Sequence, residues 1–167
     1  MTYKASLDKT ATIITIAVTI FLAVVIGGQY VIIKDAKRTT PFYTTTACLL
    51  IYFLAFAFRP IQYVISEDEL IIERPLINAR IRREDIKSAE KIEKNKIKWS
   101  LRIFGVGGVF GYYGSFASFS LGRMTWYATR KDSPVLIKTA NGRKIIVTPN
   151  EPDAFVSELI GSYQATS

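Results

Sequence analysis

The stretch VLIKTANGRKIIVTPNEPDAFVSELI, residues 135–160, decides the fold class. Two β-branched runs, Val135 to Thr139 and Lys144 to Thr148, flank Asn141-Gly142. That dipeptide suits a type I′ turn, whose two central residues need φ > 0. A two-residue loop predicts Ile137 opposite Ile146 and Leu136 opposite Val147, apolar against apolar on each face. Directly afterwards Asn150 offers a helix cap, Pro152 falls in the first turn, and Glu151 and Asp153 suit the positive end of the helix dipole. Phe155, Leu159 and Tyr163 then lie along one helical stripe. A hairpin followed at once by an amphipathic helix predicts a helix packed on a sheet.

Upstream, shorter runs read as further strands: Tyr63 to Ser66, Leu70 to Glu73, Arg80 to Arg83, Ile86 to Ile92 and Met124 to Arg130. Turn-prone residues such as Glu67-Asp68 and Asn78 separate several of them. The segment Lys94 to Phe104 alternates strictly. Lys94, Lys96, Lys98 and Arg102 fall on one side, Ile97, Trp99, Leu101 and Ile103 on the other. Period two predicts a half-buried strand with a basic outer face. Many short antiparallel strands and one closing helix imply a small barrel or bent sandwich with the helix plugging one end.

Between these strands lies a run containing Gly105, Gly107, Gly108, Gly111 and Gly114. It lacks the Gly-Lys-Ser/Thr ending of a phosphate-binding loop and the strand-to-helix setting of a dinucleotide fingerprint. Turns and a bulge account for the glycines. Phe110, Tyr112, Tyr113 and Phe116 are interleaved with them. Two readings stand: core rings, or an outward aromatic loop that contacts the headgroup region or a neighbouring helix.

The N-terminal third has a different character. Thr10 to Ile33 and Phe42 to Phe58 contain no Asp, Glu, Lys or Arg. A ~30 Å hydrocarbon core takes about 20 apolar residues, and as few as ~17 suffice. Two spans, about 10–33 and 42–58, are therefore expected to form a transmembrane helical hairpin within residues 1–60. The short loop Lys34 to Thr40 joins them, with Pro41 opening the second helix. The first run exceeds the ~7–15 apolar residues of a signal peptide. A buried core helix is the other account of the second. The remaining chain is read as one domain, 61–163, and a tail, 164–167.

Composition narrows the function. Twenty-two Lys and Arg against 14 Asp and Glu give +8, an excess suited to an anionic membrane surface or an acidic partner. No helix-turn-helix, zinc finger or RNA-recognition pattern accompanies it, so no nucleic acid is expected. With no His, and Cys48 alone inside an apolar run, neither a metal site nor nucleophilic catalysis is expected. No cofactor is expected either. The cations Lys34, Lys37 and Arg38 nearly balance Lys4, Lys9 and Arg59 across the hairpin, and Arg74 tips the count toward a cytoplasmic domain at the inner membrane.

The order of the two apolar spans, then YVISEDELIIERP (63–75), IRREDIKSAEKIE (81–93), the run from Arg102 through Thr129 and TPNEPDAFVSEL (148–159) resembles bacterial pleckstrin-homology-like membrane proteins. The resemblance implies a barrel of about seven antiparallel strands with a C-terminal helix, an α+β chain overall, anchored at the cytoplasmic membrane. In phosphoinositide-binding relatives the loop joining the first two strands is basic. The matching Ser66-Glu67-Asp68-Glu69 is acidic, so specific phosphoinositide recognition is not expected. The expected function is a multi-pass, non-enzymatic adaptor contacting a partner protein or the anionic membrane surface. Its candidate sites are the basic face (Lys94, Lys96, Lys98, Arg102) and the aromatic loop (Phe110, Tyr112, Tyr113, Phe116). The alternative is an accessory subunit of a membrane complex, in which small residues such as Ala17, Ala23, Gly27 and Gly28 let the hairpin make the specific contacts.

Overall fold

A computed structural model of the chain describes residues 1–32 and 39–161. The loop expected at Lys34 to Thr40 falls mostly outside these residues, as do Tyr163 and the tail. Two apolar helices, α1 (Lys9–Ile32) and α2 (Thr39–Ala57), lead into the β-rich part. They lie antiparallel: Thr19 Oγ1 is 2.6 Å from the Tyr52 hydroxyl, and the Gln29 side chain bonds Thr44 and Thr45. Many of their apolar side chains are exposed, Ile13, Phe21, Val24 and Ile51 among them.

The described residues form ten strands in two sheets. The first has the order β1 (Thr2–Lys4), β2 (Gln62–Ile65), β3 (Glu69–Glu73), β4 (Ala79–Arg82), all antiparallel. The second has the order β5 (Ile86–Lys91), β9 (Val135–Thr139), β10 (Lys144–Val147), β8 (Gly122–Ala128), β7 (Gly111–Ser118), β6 (Leu101–Gly108). Here β10 runs parallel to β8. Against the about seven antiparallel strands expected in the domain, its described residues form nine, β2 to β10, with one parallel pair. The chain is α+β, with a closing helix, α4 (Pro152–Gly161).

Strand β1 precedes α1 yet pairs with β2, Tyr3 opposite Tyr63. The sheet therefore takes residues from both sides of the boundary expected at 60. Tyr3 earns its place by its ring, which meets Phe155 of α4 edge-on at 5.3 Å, and Phe155 also meets Tyr63 at 5.9 Å. Phe155 and Leu159 bury the helical stripe expected of them. Asn150 does not cap α4: its Oδ1 accepts from the Ser6 N–H and from Arg130. At the far end Arg83 donates to the carbonyls of Glu158 and Leu159, which satisfies last-turn acceptors.

The 135–148 hairpin forms, in a register shifted by one residue. Leu136 pairs with Ile146 and Ile137 with Ile145. Only Gly142 has positive φ (79°), so Asn141 cannot complete a type I′ turn. Gly142 donates its N–H to Thr139 and Thr139 donates to Arg143, a three-residue loop closed by a glycine bulge. The shift leaves each pair matched in face. Ile137, Ile145 and Val147 point between the sheets, while Leu136 and Ile146 point to a second core with Trp126, Met124 and Phe116. Both faces of this sheet centre are covered, which is why its strands are continuously apolar.

Candidate functional site

The site is the junction of the β-rich part with the two apolar helices, built by the glycine run. Strands β6 and β7 form a hairpin in which Gly105 faces Gly114. A Cβ on either would strike the opposing backbone, at Tyr113 O and Phe104 O, and both residues hold positive φ. The glycines let two strands bend together and carry their tip, 108–111, against α1 and α2. At the tip Phe110 holds φ 55°, a strained value for a side-chain-bearing residue. Its N–H donates to Thr15 Oγ1 at 2.8 Å, and its ring meets Tyr52 at 5.2 Å and Phe56 at 5.5 Å. Tyr113 donates its hydroxyl to the Ala55 carbonyl. Burial raises the Tyr113 pKa, so this donor keeps its proton.

The start of α1 is fastened as well. Asp8 accepts from the Ala11 N–H with one carboxylate oxygen (2.6 Å), which caps the helix. With the other it accepts from the Lys131 N–H at 3.2 Å, in the loop after β8. Burial, reinforced by this carboxylate, pushes the Tyr112 hydroxyl up to about 12. Both helices are thus fixed to the sheet at their bases.

Cations ring these bases. Arg59, just past α2, lies over Phe56 at 4.3 Å. Arg74 lies between Phe58 (5.4 Å) and Tyr127 (5.5 Å). Lys9, Lys94, Arg130 and Lys131 line a cleft of about 380 Å³ that also holds Asp8 and Asp132. Arg130 is 3.7 Å from Asp132, and Lys131 sits over Tyr112 at 4.5 Å.

The basic strand face expected at Lys94, Lys96, Lys98 and Arg102 does not form. Lys94–Lys98 is a short helix, α3, and the strand begins only at Leu101. In a helix, residues two apart point in different directions, so Lys96 leaves the side that Lys94 and Lys98, four apart, share. Ile97 alone anchors α3 in the second core. Lys94 reaches the cleft beside α1, Lys98 lies near Trp99, and Arg102 borders the groove described below. The aromatic run divides between its two readings, core rings and contact with a neighbouring helix. Phe110, Tyr112, Tyr113 and Phe116 are all buried. Tyr112 and Phe116 fill the second core, Phe116 stacked on Trp126 at 4.5 Å. Phe110 and Tyr113 are spent on the helices.

The outward apolar surface lies instead on β6, one of the two edge strands of the six-stranded sheet. Leu101 is 70% exposed, Ile103 56% and Phe104 80%, and the preceding Trp99 is 75% exposed. Read by alternation, three of these four belonged inside. For Ile103 the cause is a register irregularity between Arg102 and Phe104, which puts it out of phase, whereas Trp99 precedes the strand and Leu101 opens it. Its trace in the sequence is the adjacent pair Ile103-Phe104, which no half-buried strand needs. Between β6 and α2 runs an apolar groove of about 690 Å³, lined by Ile51, Leu54, Phe58, Arg74, Val106 and Tyr113 among others. Among the described residues no group of three or more carboxylates or thiols could hold a metal ion.

A family model described as a bacterial PH domain matches residues 61–162. The chain belongs to that family. The match starts at β2 and covers every later strand and α4, and PH-like domains are in general binding modules. No curated protein and no solved structure matches the chain. In this bacterial PH domain the acidic turn Ser66 to Glu69 is tied down by its own sheet, Ser66 donating to Glu69 and Glu69 pairing with Arg80 at 3.6 Å.

Proposed function

We propose that the chain is a multi-pass, non-enzymatic adaptor of the cytoplasmic membrane. In this reading α1 and α2 cross the bilayer, and the PH domain on the cytoplasmic side offers edge strand β6 to an extended segment of a partner protein. The observation that carries it is β6 itself, an edge strand of the six-stranded sheet with exposed Leu101, Ile103 and Phe104, preceded by exposed Trp99. Soluble sheets blunt such edges with charge or cover, and an uncovered apolar one is a template for strand addition.

The membrane part rests on length and exposure. Lys9–Gln29 is long and apolar enough to cross, and only 6% of its most apolar window is buried by the protein. Pro41–Ala57 is shorter and reaches the lower limit of a span. The cations at the helix bases support the orientation. Lys94, Arg130 and Lys131, distant in sequence, join Lys9 and Arg59 on the side of the domain, which outweighs the loop between the helices. Each cation near an anionic leaflet contributes about 1 kcal/mol.

The direct test is a photo-crosslinker at Leu101 in intact membranes. A single crosslinked protein species is expected, and the added change Ile103→Lys should remove it. An unchanged product would dispose of the edge-strand reading. The accessory-subunit reading keeps one observation in its favour: a side chain at Gly27 or Gly28 would meet nothing within 4 Å, so these small residues are not used between α1 and α2. Exchanging both helices for an unrelated hairpin separates the two. A retained crosslink favours the adaptor, and a lost one the subunit.

A further inference from the structure

We propose that the groove between α2 and β6 holds one anionic phospholipid from the surrounding bilayer, its phosphate on Arg74 and an acyl chain along Ile51, Leu54 and Val106. This rests on the membrane reading above and adds to it a specific ligand, placed at the Gly105–Val106 end of β6; Ile103 and Phe104 border both this groove and the edge offered to a partner, which begins at Leu101.

Arg74 is the reason. Its guanidinium is held between the rings of Phe58 and Tyr127, so its direction is set before anything binds. Its Nε is buried and makes no hydrogen bond. No carboxylate pairs with it among the described residues, and the adjacent Glu73 is engaged by the Gln62 amide. A buried guanidinium nitrogen without an acceptor is costly, and a phosphate is the anion whose geometry answers its fork of donors.

The rest of the groove specifies what carries that phosphate. Its lining beyond Arg74 and Arg102 is almost wholly apolar, with no acidic residue. One wall is α2 at Ile51, whose side chain is 68% exposed on the flank read as facing lipid. The groove is therefore continuous with the bilayer along one side and ends at a cation near the helix base. A free phosphate would satisfy Arg74 and leave the apolar length bare. A zwitterionic lipid would fill the length but bring its own cation to the guanidinium. This location is at the opposite end of β3 from the acidic turn Ser66 to Glu69.

The experiment uses the full chain in nanodiscs of phosphatidylcholine with a minority of phosphatidylglycerol, released into mild detergent and weighed by native mass spectrometry. Wild type is expected to retain one phosphatidylglycerol. Arg74→Gln should cut its retention at least tenfold. Val106→Phe, which fills the groove and leaves the cation, should do the same. Near-ultraviolet circular dichroism checks that both variants keep their aromatic packing. Equal retention by wild type and Arg74→Gln, no preference for phosphatidylglycerol, or a bound protein or second copy in place of lipid would each overturn the inference. A chain that enters no nanodisc would overturn the membrane reading with it, whereas one that enters and retains no lipid overturns only the groove.

Discussion

Strands β10 and β6 belong to the same sheet and are similarly apolar, yet their fates are opposite. Ile145, Ile146 and Val147 of β10 are buried, with neighbouring strands on both sides and cores on both faces. Leu101, Ile103 and Phe104 of β6 are exposed, the last two along the groove beside α2. Apolar composition therefore does not report burial in this molecule. Position in the sheet does, and the outer position leaves a surface for something else to cover.

The comparison makes graded predictions. The largest effect is expected at the centre: Ile146→Ala should cost about 2–5 kcal/mol, because a close-packed site relaxes only partly around a cavity. Thermal or urea unfolding in detergent would read it, and a loss below 0.5 kcal/mol would break the contrast. Next comes the bend that carries β6 to the helices. Gly114→Val forces positive φ (121°) on a β-branched residue and drives its Cβ into Phe104 O, at a cost of roughly 1–3 kcal/mol. It should also free Tyr113 from Ala55, seen as faster proteolysis between the helices and the sheet.

The third test concerns Tyr63, between the two sheets. Its hydroxyl donates to the Tyr127 carbonyl at 2.6 Å and accepts from the Thr148 N–H at 3.1 Å. Burial pushes it up to about 12 from an ordinary 10. The folded state thus holds this proton more tightly than the unfolded state. The stability it contributes is complete below about pH 10 and is lost as pH rises through about pH 12. Tyr63→Phe should cost about 1–2 kcal/mol at neutral pH and flatten the alkaline part of the stability curve. An unchanged alkaline limb would remove Tyr63 as its source. The smallest stability effect belongs to the edge. Phe104→Ser should stay within about 0.5 kcal/mol of wild type, while weakening the crosslink expected at Leu101. A large loss of stability would mean that β6 is covered after all.

Wherever near neighbours in the chain carried the signal, the sequence was legible. Strands β2, β3, β4, β5 and β8 fall within a few residues of their expected runs, and Phe155 and Leu159 pack as their spacing implies. The misreadings share one cause. Lys94 to Lys98 alternates like a strand, but its only buried side chain is Ile97, and a single anchor serves a helical turn equally well. At Asn141-Gly142 the favoured dipeptide was right about a turn and wrong about its type, because Thr139 and Arg143 extend the loop by one residue. Strand β1 carried too little pattern in three residues to be seen before α1.

From the amino-acid sequence alone came two charge-free apolar runs, a β-rich remainder with a closing helix, and the absence of histidine chemistry. These follow from periodicities of two to four residues and from composition, which act along the chain. The tertiary structure decided that β1 joins β2 across the helix pair, that Asp8 and Phe110 fasten both helices to the sheet, and that β6 ends as an open edge beside Arg74. Each of those outcomes depends on partners scores of residues away, such as Phe110 with Thr15, whose meeting no local pattern encodes.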